Sequence, residues 1–238
     1  MFIIVDGTGP LNQQDYDMAM ARSFCWQLST QLIRYPAEYI SGPASAGLTT
    51  YDKARDAYYK IKQYLYTFPT PRKIYLAGYS RGGACVIYLA SLLKEDERHI
   101  EVEAMFLFDP VNFDANLPDP GITSNVKNAY IVFRDQSIEE VNTAWKPNYG
   151  YGVMYDKDIY ARKWMGNSKC SPIEPSKTNV ELEIIKNSSH GAVGGVPWVE
   201  RSADKEGVDG AVNWMNPYLK KHKLPAVLKD MWFVNKKK

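Results

Sequence analysis

The sequence predicts an α/β fold: one domain built on a mainly parallel sheet with helices on both faces. Two features of the pattern and one of composition predict it. Short apolar runs rich in β-branched and aromatic residues alternate along the chain with longer stretches whose apolar residues recur at helical spacing. Each run stops at a glycine or a polar residue, as strands that share one functional edge do. The chain has 238 residues, 45% of them hydrophobic and 24% charged, which suits a single core rather than two full domains.

In order, Phe2 to Val5 reads as a strand that ends in Asp6-Gly7-Thr8-Gly9-Pro10. From Gln13 to Ile33 the residues Ala21, Phe24, Cys25, Leu28 and Leu32 predict one crossover helix. A short strand is expected at Tyr39 to Gly42, and a helix from Thr49 to Tyr66 with Ala54, Ala57, Ile61 and Leu65 on one face. Ile74 to Ala77 then forms a buried strand that runs through Gly78-Tyr79-Ser80-Arg81-Gly82 into a helix carrying Ala84, Ile87, Tyr88 and Leu92. Further strands are read at Glu101 to Phe108, Ala129 to Phe133 and Val180 to Ile185. A last amphipathic helix covers Val208 to Leu219, with a kink expected at Pro217. Between Gln136 and Thr178 no periodicity is visible, but aromatic and methionine residues are frequent. That stretch is too long for a bare connection and is a candidate cap or lid, the alternative being an excursion packed on the core.

The formal net charge of +2 gives no reason to expect nucleic acid as a partner, and the terminal Lys236, Lys237 and Lys238 read as a solvated tail. No apolar run approaches the length of a membrane span, so no integral membrane segment is expected. Cys25, Cys85 and Cys170 lie far apart, without metal-ligand or disulfide spacing. Neither a metal nor a cofactor is therefore expected. Met1 to Asp6 lacks the basic and long apolar regions of a secretory leader, which makes the cytoplasm the expected compartment and leaves leaderless secretion open.

The chemistry is read from Gly78 to Gly82. A Gly-x-Ser-x-Gly sequence alone is also met as an ordinary tight turn, but between an apolar strand and an apolar-striped helix it forms a nucleophile elbow, with the serine at a strained corner. A serine hydroxyl needs a histidine to take its proton and an acid to orient that histidine. Of three histidines, His99 and His222 sit among charged residues and read as surface groups. His190 follows a strand and opens the glycine-rich loop His190 to Gly195, which makes it the candidate base. Asp109 and Asp135 both end strands in the chain order serine, acid, histidine. Asp109, fixed by Pro110, is preferred; Asp135 is the alternative acid, and Asp6 and Asp114 are the remaining ones. Backbone N–H groups of Arg81, at the start of the elbow helix, and of Gly7 or Thr8 are the expected oxyanion donors.

These motifs, Asp6-Gly7-Thr8, Gly78-Tyr79-Ser80-Arg81-Gly82-Gly83, Phe108-Asp109-Pro110-Val111 and His190-Gly191-Ala192-Val193-Gly194-Gly195, resemble the α/β-hydrolase fold. Within it they resemble the DUF2235 group, which includes type VI secretion phospholipase effectors. The resemblance implies Ser80, Asp109 and His190 as a catalytic triad; Pro110 and Ala192 depart from its usual threonine and aspartate. The expected function is hydrolysis of a small-molecule or lipid-like carboxylic ester through an acyl-serine. Acyl transfer or thioester cleavage on the same triad is the alternative, as is a non-catalytic binding protein of the same fold.

Overall fold

The structure, a computed structural model, describes residues 1–33, 35–43, 49–68, 73–112, 117–118, 121–134, 170–186, 188–197 and 202–233. Asp114, Asp135 and most of the candidate cap, up to residue 169, lie outside these.

Among the described residues six strands form one parallel sheet: β1 (Phe2–Val5), β2 (Ala37–Ile40), β3 (Ile74–Tyr79), β4 (Val102–Phe108), β5 (Asn128–Arg134) and β6 (Asn179–Ile185), in the spatial order β2-β1-β3-β4-β5-β6. The central strands are buried on both faces and apolar throughout, as parallel strands between two helical layers must be. Alternate residues feed two cores. Phe2, Ile4, Tyr75, Ala77 and Tyr79 pack under α1 (Gln13–Met20), α2 (Phe24–Gln31) and the long C-terminal helix α6 (Ser202–Lys221). Ile3, Val5, Ile74 and Leu76 pack under α3 (Thr50–Thr67) and α4 (Arg81–Glu95). A short helix α5 (His190–Val193) stands between β6 and α6.

Three local expectations are corrected. The helix expected over Gln13 to Ile33 is two helices, because Ser23 interrupts it: its hydroxyl accepts the Trp26 N–H at 2.9 Å as the cap of α2 and donates to Asp6. The glycine-rich loop expected at His190 is the one-turn helix α5, capped by Ser189, whose hydroxyl accepts the Ala192 N–H at 3.1 Å. His222 is half-buried, not a surface group. Its Nε2 lies 3.0 Å from the Tyr130 hydroxyl, and burial lowers its pKa. Helix α6 continues past Pro217. Cys25 and Cys85 are buried. Among the described residues no helix is long and apolar enough to cross a membrane, and no cluster of metal-ligating side chains occurs.

Successive connections place β2 on one side of β1 and β3 on the other, so the loops after β1 and β3 diverge and leave a crevice at their C-terminal ends, where parallel α/β sheets bind ligands. The register pairs Val5 with Gly78, Tyr79 with Phe108 and Phe108 with Val132. Asp6, Ser80 and Asp109 therefore emerge at one level of this edge.

Candidate active site

Ser80 sits at the turn from β3 into α4 with φ +54°, a left-handed conformation that a non-glycine residue rarely holds. The flanking glycines are required by close approach: a Cβ on Gly82 would lie 2.2 Å from the Val5 carbonyl oxygen, and one on Gly78 2.5 Å from that of Gly82. Asp109 is also left-handed, with φ +41°. The two turns hold each other, since the Ser80 carbonyl accepts the Val111 N–H at 2.9 Å and Pro110 packs against Gly83. Strain of this kind persists only where surrounding contacts over-determine it, and it concentrates at functional sites.

The structure brings Ser80, His190 and Asp109 together. His190 Nδ1 is 2.6 Å from Asp109 Oδ2, and His190 Nε2 is 2.9 Å from Ser80 Oγ. A proton on Nδ1 for the carboxylate leaves the Nε2 lone pair facing the serine hydroxyl, which donates to it. All three residues are buried, at 1 to 2% exposure, so the relay is kept from bulk water. Tyr79 seats the imidazole: its ring lies 4.9 Å from that of His190, and its hydroxyl donates to the His190 carbonyl at 3.2 Å. Arg134, also buried, places Nε 3.5 Å from Asp109 Oδ2. Opposite charges buried together avoid the cost of an isolated buried carboxylate. The sequence carried no signal for Tyr79 or Arg134 beyond their places beside Ser80 and at a strand end.

The loop after β1 is held from below. Asp6 is fully buried; its Oδ1 accepts the Gly7 N–H at 2.8 Å, and its Oδ2 accepts the Tyr39 hydroxyl at 2.8 Å and the Ser23 hydroxyl. Tyr16 straps the loop above, donating to the Gly7 carbonyl at 2.7 Å and accepting the Gly42 N–H at 2.5 Å. The Gly7 N–H, one of the two oxyanion donors expected from this loop, is the one that Asp6 holds. Arg81 begins α4 beside Ser80, and its guanidinium donates to Thr50 Oγ1 at 2.9 Å. A surface groove of about 940 Å³ along β5 and β6, lined by Phe133, Cys170, Val180 and Leu182, contains none of these residues.

Burial pushes the Asp6 pKa up to about 6, against the hydrogen bonds that favour its charged form. Because the folded value lies above the unfolded one of 3.8, folding binds an extra proton between them. Stability contributed by the protonated carboxyl is full below about pH 4 and lost as pH rises through about 6, on the order of 3 kcal/mol in all. Asp6→Asn should remove this slope, since its Ser23 and Tyr39 partners are hydroxyls that can turn round and accept from an amide. Denaturant melts of both proteins between pH 4 and 7 check it: the wild type should lose stability relative to the variant across that range.

Six parallel strands, a serine on a strand-to-helix elbow and the chain order serine, aspartate, histidine make this an α/β-hydrolase-like fold. No protein-family model matches the sequence, and no curated protein matches it. Among solved structures the chain is similar to a protein described as a cell surface hydrolase from Lactobacillus plantarum WCFS1, at 8% identity and a TM-score of 0.48 over 96% of this chain and 93% of that one. It is similar also to a cutinase-like protein from Cryptococcus sp., at 13% identity and a TM-score of 0.40 over 95% and 96% of the two chains. A third is Est1E from Butyrivibrio proteoclasticus, at 10% identity and a TM-score of 0.40 over 93% and 88%.

Proposed function

We propose that this protein is a serine hydrolase that cleaves a carboxylic ester through an acyl-Ser80 intermediate. The observation that carries the proposal is the relay from Asp109 Oδ2 through His190 to Ser80 Oγ, with hydrogen-bond distances of 2.6 and 2.9 Å. Ser80 Oγ attacks the ester carbonyl carbon while its proton passes to His190 Nε2, and the carbonyl π pair moves onto oxygen. Asp109 holds Nδ1–H and stabilises the imidazolium. Backbone N–H groups of Arg81 and Thr8 receive the oxyanion. Collapse expels the alcohol, which takes the proton from Nε2; water then attacks the acyl-enzyme with His190 as base and releases the acid.

His190 Nδ1 is occupied by Asp109, which favours Asp109 over the alternative acid Asp135. The substrate class is a small-molecule or lipid-like ester. Its acyl specificity is assigned to Gln136 to Thr178, whose aromatic and methionine content suits an apolar acyl group. The likeness to the DUF2235 group and its phospholipase effectors rests on the quoted motifs alone and makes phospholipids one branch of this class. Thioesters and acyl acceptors other than water follow the same acyl-enzyme chemistry.

Turnover of p-nitrophenyl esters from acetate to laurate, with mass spectrometry of the quenched enzyme, tests the proposal. It predicts release of nitrophenol, an acyl adduct on Ser80, and rates that rise from acetate toward longer chains. Absence of turnover and of adduct with every ester and thioester would instead assign a binding role to the fold.

A further inference from the structure

His190 is carried by a support too short to hold itself. Helix α5 is a single turn, and a helix of that length is not stable on its own, so contacts from elsewhere in the chain must fix it. At its start the Tyr79 hydroxyl donates to the His190 carbonyl. At its end the chain turns through Gly194 and Gly195. Gly195 has φ +78° and no room for a side chain, since an added Cβ would lie 2.8 Å from the Phe24 ring. Two donors hold this end: the Phe24 N–H meets the Gly194 carbonyl at 2.9 Å, and the Trp232 indole N–H meets the Gly195 carbonyl at 2.7 Å.

Trp232 is brought there by the segment that follows α6, and side-chain amides fasten that segment. Gln31, Asn216 and Gln27 each bond both the N–H and the carbonyl of one residue, Val227, Leu228 and Lys229 in turn, at 2.8 to 3.0 Å. Paired bonds of this kind fix a backbone as a strand ladder does. Asp230 Oδ1 then accepts the N–H groups of Trp232 and Phe233 at 2.9 and 3.0 Å, a local turn that sets the direction of the indole. The Arg22 guanidinium lies 4.7 Å from the centre of the Trp232 ring and holds it from the other side.

We propose that Trp232 is a positioning residue for the acyl transfer: its indole N–H holds the Gly195 carbonyl and so keeps the turn that carries His190 in register with Ser80 and Asp109. The inference rests on the proposed acyl-Ser80 chemistry. Proton transfer from Ser80 Oγ depends steeply on the placement of the imidazole, so loosening its support slows turnover. Ester binding is left unchanged, because the tether acts on the base and not on the ester.

The test is Trp232→Phe, which keeps an aromatic ring and removes the N–H. With p-nitrophenyl butyrate, kcat should fall about tenfold with KM little changed, less than the roughly 10²-fold that a 1 Å misplacement can cost, because Tyr79 and Phe24 still hold the turn. Proton NMR gives a readout that packing alone would not move. The proton between His190 Nδ1 and Asp109 should give a far-downfield signal in the unaltered protein, and that signal should broaden or move upfield in Trp232→Phe. Asp230→Ala, which releases the local turn and keeps the indole, should lower kcat in the same direction by about threefold, and it serves as the test if Trp232→Phe does not fold. Wild-type kcat in the folded variant, or a kcat loss with the downfield signal unmoved, overturns the inference. Fluorophosphonate labelling separates the two levels. Label on Ser80 that forms as fast in Trp232→Phe as in the unaltered protein removes only the role of Trp232, whereas no label on Ser80 removes the hydrolase reading and this inference with it.

Discussion

Ser80→Ala is expected to reduce ester turnover by about 10⁶-fold while leaving the fold intact, because removing the nucleophile disables a unit whose members act together. The variant keeps the elbow's backbone: Ser80 N–H still donates to the Phe108 carbonyl at 3.0 Å, and its own carbonyl still accepts from Gly83 and Val111. The side-chain loss is one hydrogen bond, to His190. Circular dichroism and a thermal melt close to those of the wild type, with hydrolysis at background, would meet the expectation. Substantial residual turnover would move the nucleophile elsewhere.

The second large effect concerns the acid. Asp109→Asn should lower kcat by about 10⁴-fold, because an amide that donates to His190 Nδ1 leaves the proton on Nε2, where it faces Ser80 Oγ and cannot act as a base. Arg134 would then lie beside a neutral amide, its Nε 3.5 Å from the position of Oδ2, so part of the loss should appear as lower stability. Asp135→Asn, measured in parallel, should cost less than about tenfold, as expected of a carboxylate that does not orient the base. Reversed magnitudes would transfer the acid's role to Asp135.

The parts of this site that were legible in the sequence depend on local pattern. Strands β3 and β4 read correctly because burial on both faces leaves an unbroken apolar run. Ser80, Asp109 and His190 stood out because each directly follows or closely trails such a run, and a parallel sheet brings those ends to one edge. The parts that were not legible depend on contacts between residues distant in sequence. The break at Ser23 is hidden because the apolar spacing runs through it, while the cause lies at Asp6, to which its hydroxyl donates. Arg134 closes a strand with no local signal for its role, since its distance to Asp109 is set by the β4–β5 register. His222 sits between lysines and read as exposed; the Tyr130 and Phe106 rings it packs on come from strands far back in the chain. The bond from the Gly7 N–H to Asp6 follows from the direction of one N–H, which no residue pattern encodes.

Peptide mapping of the protein after treatment with a fluorophosphonate tests the central claim most directly. Such reagents phosphonylate a serine whose hydroxyl is activated by a histidine, so the label reports the relay without requiring knowledge of the natural ester. The account predicts one label per chain, located on Ser80, absent from Ser80→Ala and much slower to form in Asp109→Asn. A label on any other serine, or a folded protein that takes none, would contradict it.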